Sequence, residues 1–344
     1  MRLDRKKVLF VWTGVTSYMA DCWRRLAACT DVELRVVIAD RSGGYGTAFR
    51  NEEVMRELDW RVQTDARAAT VSDDGWMPDV AFVVGWRDPV CRAYAQDARL
   101  RSVPKVCCFD MPWEWRVRKA LARFALASYL RRFSAAFVPG SVAARYARWL
   151  GFPDGRIYRG LFGIDVERFS LPRETSGGFL FVGRLSDEKR IDVLSAAYRD
   201  YRRAVAEPLG LDVYGMGACA PLLRGIPGVA LHGFAQPDEL PRAYARARAL
   251  VLPSAWDPWP LVVAESCAAG LPVLCTDHCW NVPELVKANG RVVKAGDARA
   301  LATAMADVSS LDGTAGRKLV ADYSCGRWVE KVRRIIDDLE VRSC

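Results

Sequence analysis

Histidine is nearly missing from this chain of 344 residues: only His232 and His278 are present. Neither stands in a Ser/His or Cys/His arrangement, which argues against an activated-nucleophile mechanism. No apolar run approaches the roughly 18 residues needed to span a bilayer. The opening MRLDRKKVLFVW passes from charges straight into a short apolar run, so neither a secretory leader nor a membrane anchor is expected there. The loop after that run, WTGVTSY, lacks the GxGxxG of a nicotinamide-binding fold, which argues against a dehydrogenase. A disulfide framework is lacking too. The 11 cysteines are scattered, many inside apolar segments such as KVCCFD and PVLCTD, where free cysteine packs as a small hydrophobe. A reducing cytoplasm is therefore the expected setting. The cluster CTDHC (Cys275, His278, Cys279) has one histidine and a lone CxxxC, without a fourth ligand, and no metal is expected.

What is present is ordinary for a globular enzyme: 51% hydrophobic and 26% charged residues, which excludes a disordered chain. The length is about twice a usual domain, so two domains are expected. The net charge of +9 is uneven. Residues 1–165 hold 27 Lys and Arg against 19 Asp and Glu, a net +8, and residues 166–344 hold 23 against 22. The first half either meets something anionic or is simply a basic surface.

Short apolar runs alternate with amphipathic stretches throughout, the pattern of parallel sheets covered by helices. KVLFVW, VELRVVIAD, DVAFVVG, KVCCFD and AAFVPG read as strands of a first series, with helical periods such as SYMADCWRRLAAC and WRVRKALARFALASYLRRF between them. After the polar linker SLPRETSGG, a second series runs FLFVGRL, LDVYGMG, VALHGF, ALVLPSAW and PVLCTD. The expected fold class is α/β, two Rossmann-like, doubly wound parallel-sheet domains facing across a cleft. Their bounds are expected at 1–165 and 166–324, with a helix in 325–344 crossing back to the first domain. Ligands of such sheets bind beyond the carboxyl ends of the strands.

Three stretches carry chemistry. FLFVG runs into RLSDEKR, which puts Gly183, Arg184 and Lys189 between a strand end and the amino end of a helix, where anions bind; a plain solvated loop is the alternative. LDVYGMG and LHGF repeat the placement with Gly215 and with Gly233 and Phe234; a lone GxG is a weak signal for close backbone approach, and for LHGF an ordinary turn is the favoured reading. SAWDPWPLVVAES holds two carboxylates, Asp257 in a turn and Glu265 among apolar neighbours. Pro258 and Pro260 suit a turn and the first helical positions, so the helix of Glu265 is expected to start near Leu261. A carboxylate so placed faces either water or a hydroxyl-rich ligand, for which ionised oxygens are good acceptors.

Four landmarks in order, FVGRLSDEKRID, VYGMG, LHGF and DPWPLVVAESCAAGLPVL, make residues 178–310 resemble the carboxyl-terminal domain of the retaining GT-B glycosyltransferases of glycosyltransferase family four, also called group one. The last landmark is similar to the family's pair of acidic residues with seven between. The resemblance implies that Arg184 and Lys189 bind the donor diphosphate and that Glu265 holds its ribose. Asp257 and the residues that follow it, Pro258, Trp259, Pro260, Leu261 and Val262, would contact the donor sugar. Asp257 stands where the family usually has glutamate, and Pro260 where glycine is common, which removes a backbone donor. Over residues 1–165 the resemblance is thinner. Gly14 sits where the family has a glycine-rich loop, and Asp110 where it often has histidine; both positions bear on the acceptor and the reaction centre.

The implied reaction moves a hexose-type sugar from a nucleotide diphosphate sugar to a hydroxyl of a glycan or lipid-linked acceptor, in cell-envelope or polysaccharide synthesis. Leaving-group departure and same-face attack would need charge stabilisation and alignment, with Arg184, Lys189, Asp257 and Asp110 as the expected catalytic set. No cofactor is expected, nor a metal if the two cations supply the charge. UDP is expected ahead of GDP. Rival readings are a GT-B epimerase or phosphorylase, and a nucleic-acid-binding protein or DNA-modifying sugar transferase using the basic first half. The cationic, tryptophan-containing WEWRVRKALARFALASYLRRF reads equally as an interfacial helix on an anionic membrane or as a buried helix with a basic face.

Overall fold

The computed structural model describes residues 5–40, 51–69, 75–174 and 176–341; the first four residues of the opening stretch and Thr175 of the linker lie outside them. The chain divides into two compact units, residues 1–164 with 325–344, and residues 165–324. The first unit is built on β1 (Lys6–Gly14), β2 (Val32–Asp40), β3 (Trp60–Val62), β4 (Val80–Val84), β5 (Lys105–Cys108), β6 (Ala135–Val138) and β7 (Ile157–Arg159). They form one sheet in the order β3-β2-β1-β4-β5-β6-β7, with every pairing parallel. The second unit carries β8 (Phe179–Val182), β9 (Leu211–Tyr214), β10 (Val229–Gly233), β11 (Ala249–Leu252), β12 (Val273–Thr276) and β13 (Gly290–Val293). Their order is β10-β9-β8-β11-β12-β13, again all parallel.

Parallel sheets are covered on both faces, so their central strands are continuous apolar runs. That is the composition of β6, β8 and β11, and β5 and β12 depart from it only at one end, at Lys105 and Thr276; every residue of the five strands is buried. In the first unit Phe10 of β1 stacks on Phe82 of β4 with ring centroids 4.6 Å apart, and the helix Ser17–Ala27 adds Trp23 to the same cluster. The helix Cys325–Glu340 returns to this unit and closes it. Its Trp328 is buried beside Phe10 at 5.7 Å and donates its indole N–H to the Leu161 carbonyl at 2.8 Å. Cys22 and Cys325 lie with their Sγ atoms 3.6 Å apart between the two helices.

Two local expectations change. The stretch read as one helix over 115–133 is two, Val117–Ala125 and Ala127–Leu130, separated at Leu126. Tyr129, Leu130 and Phe133 are buried in the core while Val117, Leu121 and Phe124 are exposed. The helix of Glu265 begins at Leu261 as expected, but Pro260 is its N-cap and not a first-turn residue.

Candidate functional site

In both sheets the strand order reverses once, between β1 and β4 and between β8 and β11. Such a reversal leaves a crevice at the carboxyl ends of two adjacent strands, because the loops leaving them turn to opposite faces. Candidate residues lie at both places.

In the second unit β8 exits through Gly183 and Arg184 into a short turn, Asp187–Lys189, before the helix Ile191–Ala204. The adjacent β11 exits through Ser254 and Asp257 into the helix Leu261–Ala269. The two loops are docked on each other. Ala255 N–H donates to the Glu188 carbonyl at 2.8 Å, and the Lys189 ammonium pairs with the Asp257 carboxylate. Asp257 is buried, and its backbone is pinned by Asp257 N–H to the His278 carbonyl at 3.1 Å and Trp280 N–H to its own carbonyl at 3.0 Å. Burial pushes the Asp257 carboxyl above the usual range, and the adjacent Lys189 cation pulls it back. Arg184 is more exposed, at 55% of its side chain, and bonds Glu188 at 2.5 Å. The site thus presents one held cation and one open to solvent.

Glu265 lies in the second turn of its helix and accepts a hydrogen bond of 2.6 Å from the Tyr244 hydroxyl. The residue as a whole is only partly buried, yet desolvation of its carboxyl is the largest influence on it. That pushes the carboxyl up to about 7, against the lowering effects of the Tyr244 bond and the Arg168 charge. Near neutral pH it is therefore poised between a proton and a charge. Tyr244, from the helix Leu240–Arg246, has no counterpart in the sequence reading. Twenty-one residues from Glu265 and set among alanines and arginines, it carried no periodic signal that would connect the two.

The remaining second-unit candidates divide. A Cβ on Gly215, whose φ is +146°, would sit 1.8 Å from the Gly183 carbonyl oxygen, so the close approach there is to the chain's own neighbouring loop. Gly233 ends β10 with φ +75° and open space around it, followed by a half-buried Phe234. Trp259 is buried against the Tyr323 ring at 5.2 Å, and the Pro260 carbonyl accepts from the Asn281 side chain at 2.8 Å; both hold the turn in place. Pro258, Leu261 and Val262 are half-buried at its rim. In CTDHC, the His278 ring bonds the Ala255 carbonyl at 2.7 Å, a structural tie for the β11 exit. Among the described residues no group of three or more His, Cys, Asp or Glu side chains is placed to hold a metal ion.

In the first unit Gly14 and Asp110 are brought together. Both line a pocket of about 370 Å³ at the exits of β1, β4 and β5, walled by Trp12, Tyr18, Phe109 and Phe162. Thr16 lies on the same wall as the N-cap of the helix Ser17–Ala27, and its buried hydroxyl makes no cap bond. Aromatic faces with a few polar groups suit a ligand that is apolar on its ring faces and hydroxylated at its edges.

Residues 177–310 match the family model described as glycosyl transferases group 1. Among curated proteins no sequence matches. Several solved structures share the fold across nearly the whole chain. Anabaena HepE in complex with UDP and glucose is 12% identical with a TM-score of 0.73, covering 97% of this chain and 100% of that one. The lipopolysaccharide outer core galactosyltransferase WaaB, in its apo form, is 14% identical with a TM-score of 0.69, covering 96% and 99%. Sucrose-phosphate synthase of Thermosynechococcus elongatus is 15% identical with a TM-score of 0.72, covering 98% and 100%. At these identities the likeness establishes a GT-B fold, and the glycosyl transferases group 1 pattern lies on residues 177–310 of it, the segment that holds Arg184, Lys189, Asp257 and Glu265.

Proposed function

We propose that this chain is a retaining glycosyltransferase that moves a hexose-type sugar from a nucleotide diphosphate sugar to a hydroxyl of a glycan or lipid-linked acceptor, without a metal. The observation that carries the reading is the Lys189–Asp257 pair where the exits of β8 and β11 dock at the switch point of the second sheet, with Glu265 on the helix that follows, inside the segment matched by the family model. Arg184 and Lys189 neutralise the diphosphate and gain most as the leaving group acquires charge. Glu265 accepts hydrogen bonds from the ribose, and Asp257 with the rim of its turn meets the sugar. The acceptor is assigned to the first unit's pocket, where Asp110 is the one carboxylate and the aromatic walls take sugar faces. HepE in complex with UDP and glucose supports UDP as the nucleotide. The setting proposed is cell-envelope or polysaccharide synthesis at the cytoplasmic side.

Thermal unfolding in the presence of UDP, GDP, dTDP and ADP tests the donor assignment. UDP at a hundredfold excess over its dissociation constant is expected to add about 2.7 kcal/mol of stability. No shift with any of the four excludes a nucleotide-sugar enzyme. Proton NMR of the early product tests the stereochemistry, and inversion at the anomeric carbon removes the family-four assignment.

A further inference from the structure

The segment between the first unit's pocket and its next strand has two faces of opposite character. Seven residues after Asp110, the helix Val117–Ala125 begins. Its inner side is fixed to the helix Ser141–Leu150. Trp113 packs on Tyr146 and Trp149 at 5.8 and 5.0 Å, the Trp149 indole donates to the Ala120 carbonyl at 3.3 Å, and Lys119 bonds the Pro112 carbonyl at 2.8 Å and Glu114 at 3.2 Å. The outer side is bare. Trp115, Val117, Leu121 and Phe124 are 76%, 69%, 57% and 74% exposed. Val117, Leu121 and Phe124 are spaced i, i+4, i+7, which is one helical stripe. Elsewhere among the described residues, large exposed apolar side chains are scattered. Four together amount to several hundred Å², roughly the size at which a bare patch marks an interaction site. The inner ties prevent the helix from rolling its stripe into the core.

The charges around the stripe say what covers it. Arg116, which pairs with Glu114 at 3.1 Å, and Arg123 are exposed on the same segment, Arg131 and Arg132 are exposed just after the following helix, and this half of the chain has a net charge of +8. Apolar and aromatic side chains on one face with arginines flanking them are the composition of a helix lying in the headgroup layer of an anionic bilayer. We propose that Trp115 and the Val117–Leu121–Phe124 stripe dock this protein on an anionic lipid bilayer. The patch is joined to the Asp110 wall of the pocket by the strap 111–116, so docking brings that pocket to a lipid surface. The inference deepens the reading of a lipid-linked acceptor and rests on it for its purpose, while the binding itself needs no turnover.

Flotation of the full chain with vesicles of phosphatidylcholine, and of phosphatidylcholine with phosphatidylglycerol, tests it. Binding to the mixed vesicles, weakened by salt, is expected. The paired substitution Leu121→Ser with Phe124→Ser is expected to lower partitioning roughly tenfold or more. Arg123→Gln should lower it roughly fivefold on the anionic vesicles alone. Trp115→Ser serves as a second variant, and melting curves with and without UDP show whether fold and nucleotide binding persist in each. Failure of the wild type to float with anionic vesicles overturns the proposal, as does flotation unchanged by the serine variants. A vesicle-free dimer in sedimentation that becomes a monomer in the paired variant assigns the face to a second copy, and also overturns it. The UDP-dependent shift on the same samples reports separately on the donor reading.

Discussion

Glu265 is a carboxyl group whose charge is in balance. Its folded value of about 7 lies above the ordinary value of 4.5, because burial outweighs the Tyr244 hydrogen bond and the Arg168 charge. A raised acid holds its proton more tightly in the folded protein, so folding stability falls as pH climbs from about 4.5 through 7. Glu265→Gln is expected to remove that slope, on the order of 2–3 kcal/mol, in denaturant melts at pH 5 and pH 8. Nucleotide affinity should run the other way. If the ionised oxygen accepts a ribose hydroxyl, UDP binds more tightly at pH 8 than at pH 6, and calorimetry of Glu265→Gln shows a weaker and flat profile. A wild-type affinity that does not change over this range removes Glu265 from the ribose. The position of this carboxylate was legible in the sequence, since a lone acid in PLVVAESCAAG needs a reason. Its partner Tyr244 was not, because the two meet only through the packing of separate helices.

The β8 exit loop and the β11 exit turn behave as one element. The family resemblance implied a phosphate contact for Lys189 and a sugar contact for Asp257, as separate contacts, whereas the fold also pairs them with each other. Lys189→Met therefore leaves a buried carboxylate without its cation and is expected to destabilise the protein by about 3–5 kcal/mol. Adding Asp257→Leu should restore most of that loss; urea melts of the single and double variants measure it, and a destabilisation that persists in the double variant places the cost elsewhere. Arg184→Ala, at an exposed site, should leave stability within about 0.5 kcal/mol and so report on turnover alone. The same scale shows where the sequence was silent about the fold. The strands it missed, β3, β7 and β13, are three to four residues long and lie at sheet edges. Half of an edge strand faces solvent, so it lacks the continuous apolar run that announced β8, β11 and β12. The central strands that position the site were legible for the complementary reason.

The first unit is not contiguous in the chain. Residues 165–324 form a compact unit of their own between Ile164 and Cys325, and those two residues are joined by a 2.9 Å backbone hydrogen bond. Residues 165–324 produced alone are expected to melt cooperatively and to keep the UDP-dependent shift. Residues 1–324 should lose the first unit's transition in calorimetry, because Trp328, Val332, Ile335, Ile336 and Leu339 are missing from its core. An intact first transition without the helix means that the return is ornamental to that core. The arrangement also sets an order of events on the ribosome. Synthesis proceeds at roughly 5–20 residues per second, so the intervening 160 residues take roughly 8–30 s to appear. Throughout that interval Phe10, Trp23 and Cys22 wait without the helix that covers them. The unit begun first is completed second, and its dwell time in reach of chaperones and proteases is set by the length of its neighbour.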